Sequence, residues 1–249
     1  MEEKQKINYQ KKLEKMLQEI TGKNICENTN AGLLTNGSLT PTKSLKPKLL
    51  LHACCGPCSS YVLEYLYKFF DITVFYYNPN IYPRQEYERR FDELKKLYTK
   101  FPPSIEGKVN VVEQEYEPQE FYNAVGTQKE PELASEPEKG ERCRRCYEFR
   151  LRRAFEFAAA HGFDYFCTTL SISPFKDAEK LNIIGEQLEE QAKLKAQHDE
   201  AIKIPRWLYS DFKKKGGFKR SLEISEEYGM YRQEYCGCIY SIKTAIMEK

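Results

Sequence analysis

From residue 49 onward, short apolar runs alternate with stretches in which apolar positions recur every three or four residues, a rhythm that predicts strand and helix in turn. Residues 49–53 form an apolar run that breaks at Cys54-Cys55-Gly56-Pro57-Cys58. Ser59 then stands where it can cap a helix carrying Val62, Leu63, Leu66 and Phe69. Residues 72–77 are β-branched and aromatic, end at Asn78-Pro79-Asn80, and lead into a charged helix over 84–100. A third strand is predicted over 109–116, a short helix over 118–125, and a mobile, lid-like polar loop over 126–140. Residues 142–161 read as one long helix stopped by Gly162, with Cys143 and Cys146 on one face. A strand over 164–170, a helix over 177–194 and a strand over 202–207 complete the body. Ahead of it, Ile7, Leu13, Met16, Leu17 and Ile20 give an amphipathic helix over 4–20, and the polar residues 21–45 read as a linker.

Such alternation points to an α/β fold, a Rossmann-like parallel sheet covered on both faces that receives ligands at the carboxyl ends of its strands. The loops at 54–58 and 171–176 belong on that edge, and no repeat of fixed period is present. The expected organisation is a partly disordered extension and linker over 1–47 followed by a single domain over 48–249.

Composition then narrows the class. The 249 residues are 41% hydrophobic and 13% aromatic, enough for a substantial core and against wholesale disorder. No apolar run approaches the roughly 18 residues of a membrane helix. Residues 1–9 are charged without an apolar signal region, so a cytoplasmic protein with no membrane partner is expected. Lysine and arginine (39) nearly balance aspartate and glutamate (37), so any surface that attracts nucleic acid has to be local.

Nine cysteines in a chain without an export signal turn the reading from disulfides to metal or redox chemistry. Seven fall in three clusters: Cys54, Cys55 and Cys58; Cys143 and Cys146; Cys236 and Cys238. One zinc site with four ligands would leave three of these seven thiols unused. An iron–sulfur cluster takes four thiolates and leaves the others for a second metal ion or a redox pair. The cysteine runs of the radical adenosylmethionine enzymes and of ferredoxins are both absent. Cys167, inside an apolar strand, is expected in the core, and Cys26 is an incidental thiol of the linker. His52 suits a half-buried strand as well as the cysteine loop, while His161 and His198 belong on the surface.

The blocks LLLHACCGPCSSYVLEYL (49–66), YNPNIYPRQEYERR (77–90), ERCRRCYEFRL (141–151), CTTLSISPFKD (167–177), SDFKKKGGFKRS (210–221) and YRQEYCGCIYS (231–241) are distinctive in combination. In this order they resemble the metal-dependent, cobalamin-independent epoxyqueuosine reductases of the QueH type, over residues 49–241. The strand, ligand loop and helix at 49–70 also resemble the ATP-pyrophosphatase (HUP-type) folds, with the cysteine loop standing in place of the phosphate loop. No Gly-Ser-rich cradle is present there, which argues against ATP use.

The family resemblance implies reduction of the epoxide of epoxyqueuosine to the alkene of queuosine at the wobble position of tRNA, with two electrons and two protons. It implies a four-iron, four-sulfur (4Fe-4S) cluster beside a mononuclear iron held by two cysteines and an aspartate. Six of the seven clustered thiols are then ligands and one is auxiliary; spacing leaves the partition open. Asp211 is the expected carboxylate ligand, with Asp177 the second candidate, and Cys54, Cys55 and Asp211 are the expected catalytic groups. Tyr231, Tyr235 or the spare cysteine are candidate proton donors. For the tRNA, basic residues gather at 142–153, including Arg144 and Arg145, and at Lys213, Lys214, Lys215, Lys219 and Arg220 around Gly216-Gly217. Tyr76, Tyr77, Tyr82 and Phe175, assigned to edge loops, are candidates for stacking on the base. A monomer served by an electron donor such as ferredoxin or flavodoxin is expected. Two other readings stand beside this one: an iron–sulfur electron-transfer subunit of heterodisulfide-reductase type, whose CCG element looks similar, and a zinc-organised RNA-binding module.

Overall fold

The computed structural model describes residues 7–30, 46–196 and 203–242, and the side chains of 23–30 lie outside the description. Along them run the helices α1 (Tyr9–Asn30), α2 (Gly56–Leu66), α3 (Arg84–Tyr98), α4 (Pro102–Glu106), α5 (Pro118–Val125), α6 (Glu141–Ala160), α7 (Ala178–Lys195) and α8 (Gly217–Glu227). The strands are β1 (Lys48–His52), β2 (Asp71–Tyr76), β3 (Asn110–Glu113), β4 (Tyr165–Thr168) and β5 (Arg206–Trp207). They form one parallel sheet in the order β3-β2-β1-β4-β5.

A sheet covered on both faces needs strands that are apolar at every position, and Leu49, Leu50 and Leu51 are all fully buried. Side-chain alternation sends Leu49 and Leu51 to one face and Leu50 to the other. Leu49 and Leu51 join Val62, Leu63 and Leu66 of α2, Leu94 and Leu97 of α3 and Ile224 of α8 in one cluster. Leu50 joins Leu151, Ala154 and Ala158 of α6 with Leu181, Ile184 and Leu188 of α7 in another. The α/β class expected from the alternation is what the chain adopts.

Several local expectations change. α1 continues to Asn30, through the first part of the stretch read as linker, whose polar residues carry no apolar period to signal a helix. It docks on the body: Leu13, Met16, Leu17 and Ile20 sit in the first cluster, and the Gln10 amide donates to the Tyr65 hydroxyl at 3.2 Å. Residues 31–45, the Cys26 side chain and His198 lie outside the described residues. α2 begins earlier than Ser59, with Cys55 at the cap position, and the Ser59 hydroxyl donates instead to the Gly56 carbonyl at 3.0 Å. Residues 126–140 are pinned: Leu133 is buried in a short 3-10 turn, and the Arg142 guanidinium donates to the carbonyls of Leu133 (2.6 Å) and Ala134 (3.1 Å). Lys219 and Arg220 lie on α8, so the predicted lysine loop ends at Gly216. Among the described residues, no helix is long and apolar enough to cross a membrane.

Candidate metal centre

The sheet order reverses at β1, and in such sheets ligands are received at the carboxyl ends of the strands beside the reversal. The chain leaving β1 there turns at once into α2, with Cys55 extended at the helix cap and Cys58 in the first turn. The Sγ atoms of Cys54, Cys55 and Cys58 all lie within 4.8 Å of one another, and Cys54 is 3.8 Å from Cys55. Thiolates bound at about 2.3 Å to one tetrahedral ion stand about 3.8 Å apart, so this trio is spaced for a single metal. The unpaired N–H groups that open α2 favour negative charge at the same place. Hydrogen bonds from the Cys55 and Cys58 thiols, with Arg150 nearby, hold Cys54 well below the usual thiol range although burial opposes it. Donating to Cys54 pushes Cys55 up to about 12, and Cys58 is raised well above its usual value by both neighbours. The fully buried Arg150 donates to Asn78 Oδ1, and Asn78 Nδ2 donates to the Ala53 carbonyl at 2.9 Å, which locks the loop after β2 onto the cysteine turn.

The other four clustered cysteines approach from two directions. Cys143 and Cys146 occupy the amino-terminal turns of α6, a second helix end that favours thiolates, and Cys236 and Cys238 come from the segment after α8. A hydrogen bond from Cys238, then Lys176 and Arg150, hold Cys236 well below the usual thiol range against the cost of burial. Cys238 is pushed correspondingly up. Burial, with the Cys236 charge behind it, raises Cys143, and burial lifts Cys146 to about 11. Cys146 and Cys238 share an apolar cluster with Phe121 and Val125.

The carboxyl-terminal segment is held by specific bonds. Arg90, 1% exposed, donates to Glu86 at 2.7 Å and to the carbonyls of Cys236 (3.2 Å) and Tyr235 (3.3 Å). The Tyr82 N–H donates to the Gly237 carbonyl at 2.8 Å. Gly237 has φ +122°, and a Cβ there would lie 3.0 Å from Arg90 Nη1 and 3.1 Å from Ile81, so this position between two cysteines requires glycine. Gln233 Nε2 donates to Cys55 Sγ at 3.1 Å, linking this segment to the trio.

A cavity of about 470 Å³ is lined by Cys54, Cys58 and Cys236 together with Arg150, Lys176 and Glu138, while Leu170, Ile172 and Phe218 supply apolar wall. Lys176 is 7% exposed and 3.6 Å from Glu138. Burial disfavours its charge, yet Cys236, Tyr147 and Glu138 outweigh that and hold it well above the usual lysine range. Burial also raises Glu138 against the pull of Lys176. Buried atoms without a partner among the described residues include Tyr147 OH, Arg150 Nε and Gln233 Oε1, all on residues beside the thiols or lining the cavity. Soft donors, burial and stranded polar atoms together fit a metal-containing centre.

The structure thus gathers Cys54, Cys55, Cys58, Cys143, Cys146, Cys236 and Cys238 at one edge of the sheet. It does not bring Asp211 to the trio: among the described residues no carboxylate belongs to that group, and Asp211 instead accepts from the Lys213 ammonium. Asp177 caps α7, accepting from the Lys180 N–H at 3.1 Å. Cys167 is core, as its strand suggested, and its thiol donates to the Leu208 carbonyl at 3.2 Å. His52 is fully buried, with Nδ1 2.9 Å from Thr168 Oγ1 and Nε2 3.2 Å from the Tyr77 carbonyl. Burial, then Arg150, lowers its pKa to about 3, so a neutral ring ties β1 to its neighbours. His161 is exposed at the end of α6.

Most of the basic residues assigned to the tRNA are engaged within the chain. Arg144 pairs with Glu141 and Glu148, Arg145 with Glu130 and Glu141, Arg220 with Glu64, Lys215 with Glu14 and Lys213 with Asp211. Lys219 is 4.0 Å from Glu223, and Lys214 has no carboxylate partner among the described residues. Tyr76 and Tyr77 are buried at the end of β2, which removes them as stacking surfaces; Tyr82 and Phe175 are exposed, and Phe175 lines the cavity. The Tyr231 hydroxyl donates to Glu86 and that of Tyr235 to the Tyr82 carbonyl. Arg232 and Gln233, lining the cavity, escaped the sequence reading because isolated polar residues in loops carry no period, and Lys176 and Glu138 were reached only as members of the loops 171–176 and 126–140. Their one signal was adjacency: Lys176 lies in the CTTLSISPFKD block, and Arg232 and Gln233 shortly precede Cys236.

The family model for epoxyqueuosine reductase QueH matches residues 49–244. Among curated proteins, epoxyqueuosine reductase QueH of Streptococcus pyogenes serotype M1 is 40% identical over 201 residues, 81% of this chain and 72% of that protein. The Staphylococcus epidermidis protein of the same name is 38% identical over 196 residues, 79% of this chain and 76% of the relative. That of Staphylococcus aureus (strain Mu50) is 35% identical over 237 residues, 95% of this chain and 85% of its own length, so its similarity reaches into the amino-terminal extension. With the match covering the body from β1 to the last cysteine pair, the chain belongs to the epoxyqueuosine reductase QueH family.

Proposed function

We propose that this chain reduces the epoxide of epoxyqueuosine, at the wobble position of tRNA, to the alkene of queuosine. The observation that carries this reading is the trio Cys54, Cys55 and Cys58, within 4.8 Å of one another at the topological switch point and opening on a cavity with four more thiols nearby. The compact trio suits a mononuclear iron. Cys143, Cys146, Cys236 and Cys238 suit a 4Fe-4S cluster, whose larger body needs thiolates spread more widely than a single ion does. Cys58 then takes the place that the resemblance assigns to an aspartate, because Asp211 is committed to Lys213.

Metals held by these thiols would supply electrons and Lewis acidity; reduction of the epoxide with two electrons and two protons gives the alkene and water. The chain's own residues prepare the cavity. Leu170, Ile172 and Phe218 exclude water from its wall. Lys176, buried and charged, directs its ammonium toward Cys236 and Glu138 and is the proton source that this cavity offers, whereas the Tyr231 and Tyr235 hydroxyls are spent on Glu86 and Tyr82. Of the lysines assigned to the tRNA, Lys214, without a carboxylate partner among the described residues, and Lys219, 4.0 Å from Glu223, are the least committed and the most available to tRNA phosphates. An external donor such as ferredoxin or flavodoxin delivers the electrons.

The test is anaerobic purification with iron, zinc and sulfide analysis, followed by a dithionite-driven assay on epoxyqueuosine-containing tRNA read by nucleoside mass spectrometry. Near five irons and four sulfides per chain, with loss of one oxygen mass from the nucleoside, is the expected result. Zinc alone without conversion overturns it and leaves an RNA-binding module.

A further inference from the structure

A base that reacts inside a cavity has to leave its stack, and the strand on either side of it then needs a grip at the rim. Two residues that line this cavity have the exposure for that task, and they come from separate segments. Phe175 is 66% exposed, the most exposed large apolar side chain among the described residues, and it follows β4 at the sheet edge. A bare phenyl face beside a polar, thiol-lined cavity is a stacking surface for a planar base. Arg232, from the segment carrying Cys236, is exposed and has no carboxylate or hydrogen-bond partner among the described residues. The other two cations of the lining, Arg150 and Lys176, are buried and engaged with Asn78, Glu138 and the thiols. Two carboxylates, Glu138 and Glu234, also line the cavity; Glu138 is paired to Lys176, and Glu234 is exposed to solvent.

We propose that Phe175 and Arg232 form the rim grip for the RNA strand that carries the substrate base, Phe175 by stacking on a base and Arg232 by pairing a phosphate. The assignment rests on the tRNA reading above and adds to it the residues that position the strand. It also divides the work by chemistry: the Arg232 contact is electrostatic and screened by salt, and the Phe175 contact is not.

The experiment uses the purified, metal-loaded full chain and two probes: epoxyqueuosine-containing tRNA for kinetics, and a fluorescent anticodon stem-loop for equilibrium binding at 50 and 200 mM salt. Phe175→Ala is expected to raise KM and the stem-loop Kd about tenfold at both salts, with kcat within about twofold, and Phe175→Trp to restore both. Arg232→Ala is expected to raise Kd about fivefold at the lower salt and to reduce the slope of log Kd against log salt by about one, with Arg232→Lys restoring most of it. Both side chains are exposed, and an unchanged Tm verifies that each variant is folded. If the wild-type chain fails to convert the tRNA, the reading of the reaction falls. If it converts the tRNA while both alanine variants keep its KM, Kd and salt slope, the rim assignment alone falls.

Discussion

Replacing Gly237 by alanine tests whether the backbone between the last two cysteines is what sets them. Its φ of +122° lies where L-residues are strained by about 1–3 kcal/mol. The added Cβ would also lie 3.0 Å from Arg90 Nη1 and 3.1 Å from Ile81. Arg90 cannot swing aside freely, because Glu86 and the carbonyls of Tyr235 and Cys236 hold it; losing one such charge-assisted bond adds about 1.5–3 kcal/mol. The sum, about 2.5–6 kcal/mol, lies near or below the low end of the about 5–15 kcal/mol that holds domains of this kind folded. It lowers Tm by roughly 5–24 °C. Gly229→Ala is the control: φ there is +57° with open space around the added Cβ, a cost of about 1 kcal/mol. Thermal unfolding of the metal-free chain, together with iron and sulfide content after anaerobic loading, reads both effects. Gly237→Ala is expected to lose most of the sulfide-containing metal and Gly229→Ala to keep it. Equal Tm shifts for the two variants, or full metal in Gly237→Ala, would refute the reasoning.

Two further outcomes follow from buried side chains. His52 has a folded pKa of about 3, below that of a free imidazole, so the unfolded chain takes up its proton first as pH falls. The stability from the neutral ring is complete above about pH 6.5 and is lost at about 1.4 kcal/mol per pH unit below it. Urea midpoints at pH 7, 6 and 5 should therefore fall more steeply for the wild type than for His52→Gln, and parallel slopes would count against the buried, neutral ring. Leu13, fully buried on α1, should cost about 2–5 kcal/mol when changed to alanine. A loss under about 0.5 kcal/mol in denaturant unfolding would mean that α1 contributes little to the core.

The middle of the sheet was legible because β1 and β4 are buried on both faces. Leu49, Leu50 and Leu51 read as strand whatever lies on either side, and the cysteine turn sits where the run stops. The short edge strands were less legible: β5 spans only Arg206–Trp207, and the wall it completes is shaped by Trp207 packing with Phe166 rather than by any local period. The seven clustered thiols were visible as residues, but not their division, which depends on distances between segments far apart in sequence. The bond from Gln233 to Cys55 joins positions 178 residues apart, and no sequence window contains both. Asp211 illustrates the converse limit. It stands after a strand on the correct edge, and only the Lys213 contact reveals that its charge is used locally.

The separation of the cysteines along the chain also sets an order of assembly. Cys54, Cys55 and Cys58 lie on a single turn, so that set is complete as soon as β1 and α2 have left the ribosome. Cys238 follows Cys54 by 184 residues (238 − 54), a delay of roughly 10–40 s at about 5–20 residues per second. All five strands precede Cys236, so the sheet can close while the second thiol set is only half synthesised. A nascent chain therefore carries the compact trio of thiols well before the other four exist together, so whatever fills the two sets would meet the protein at different stages of its birth.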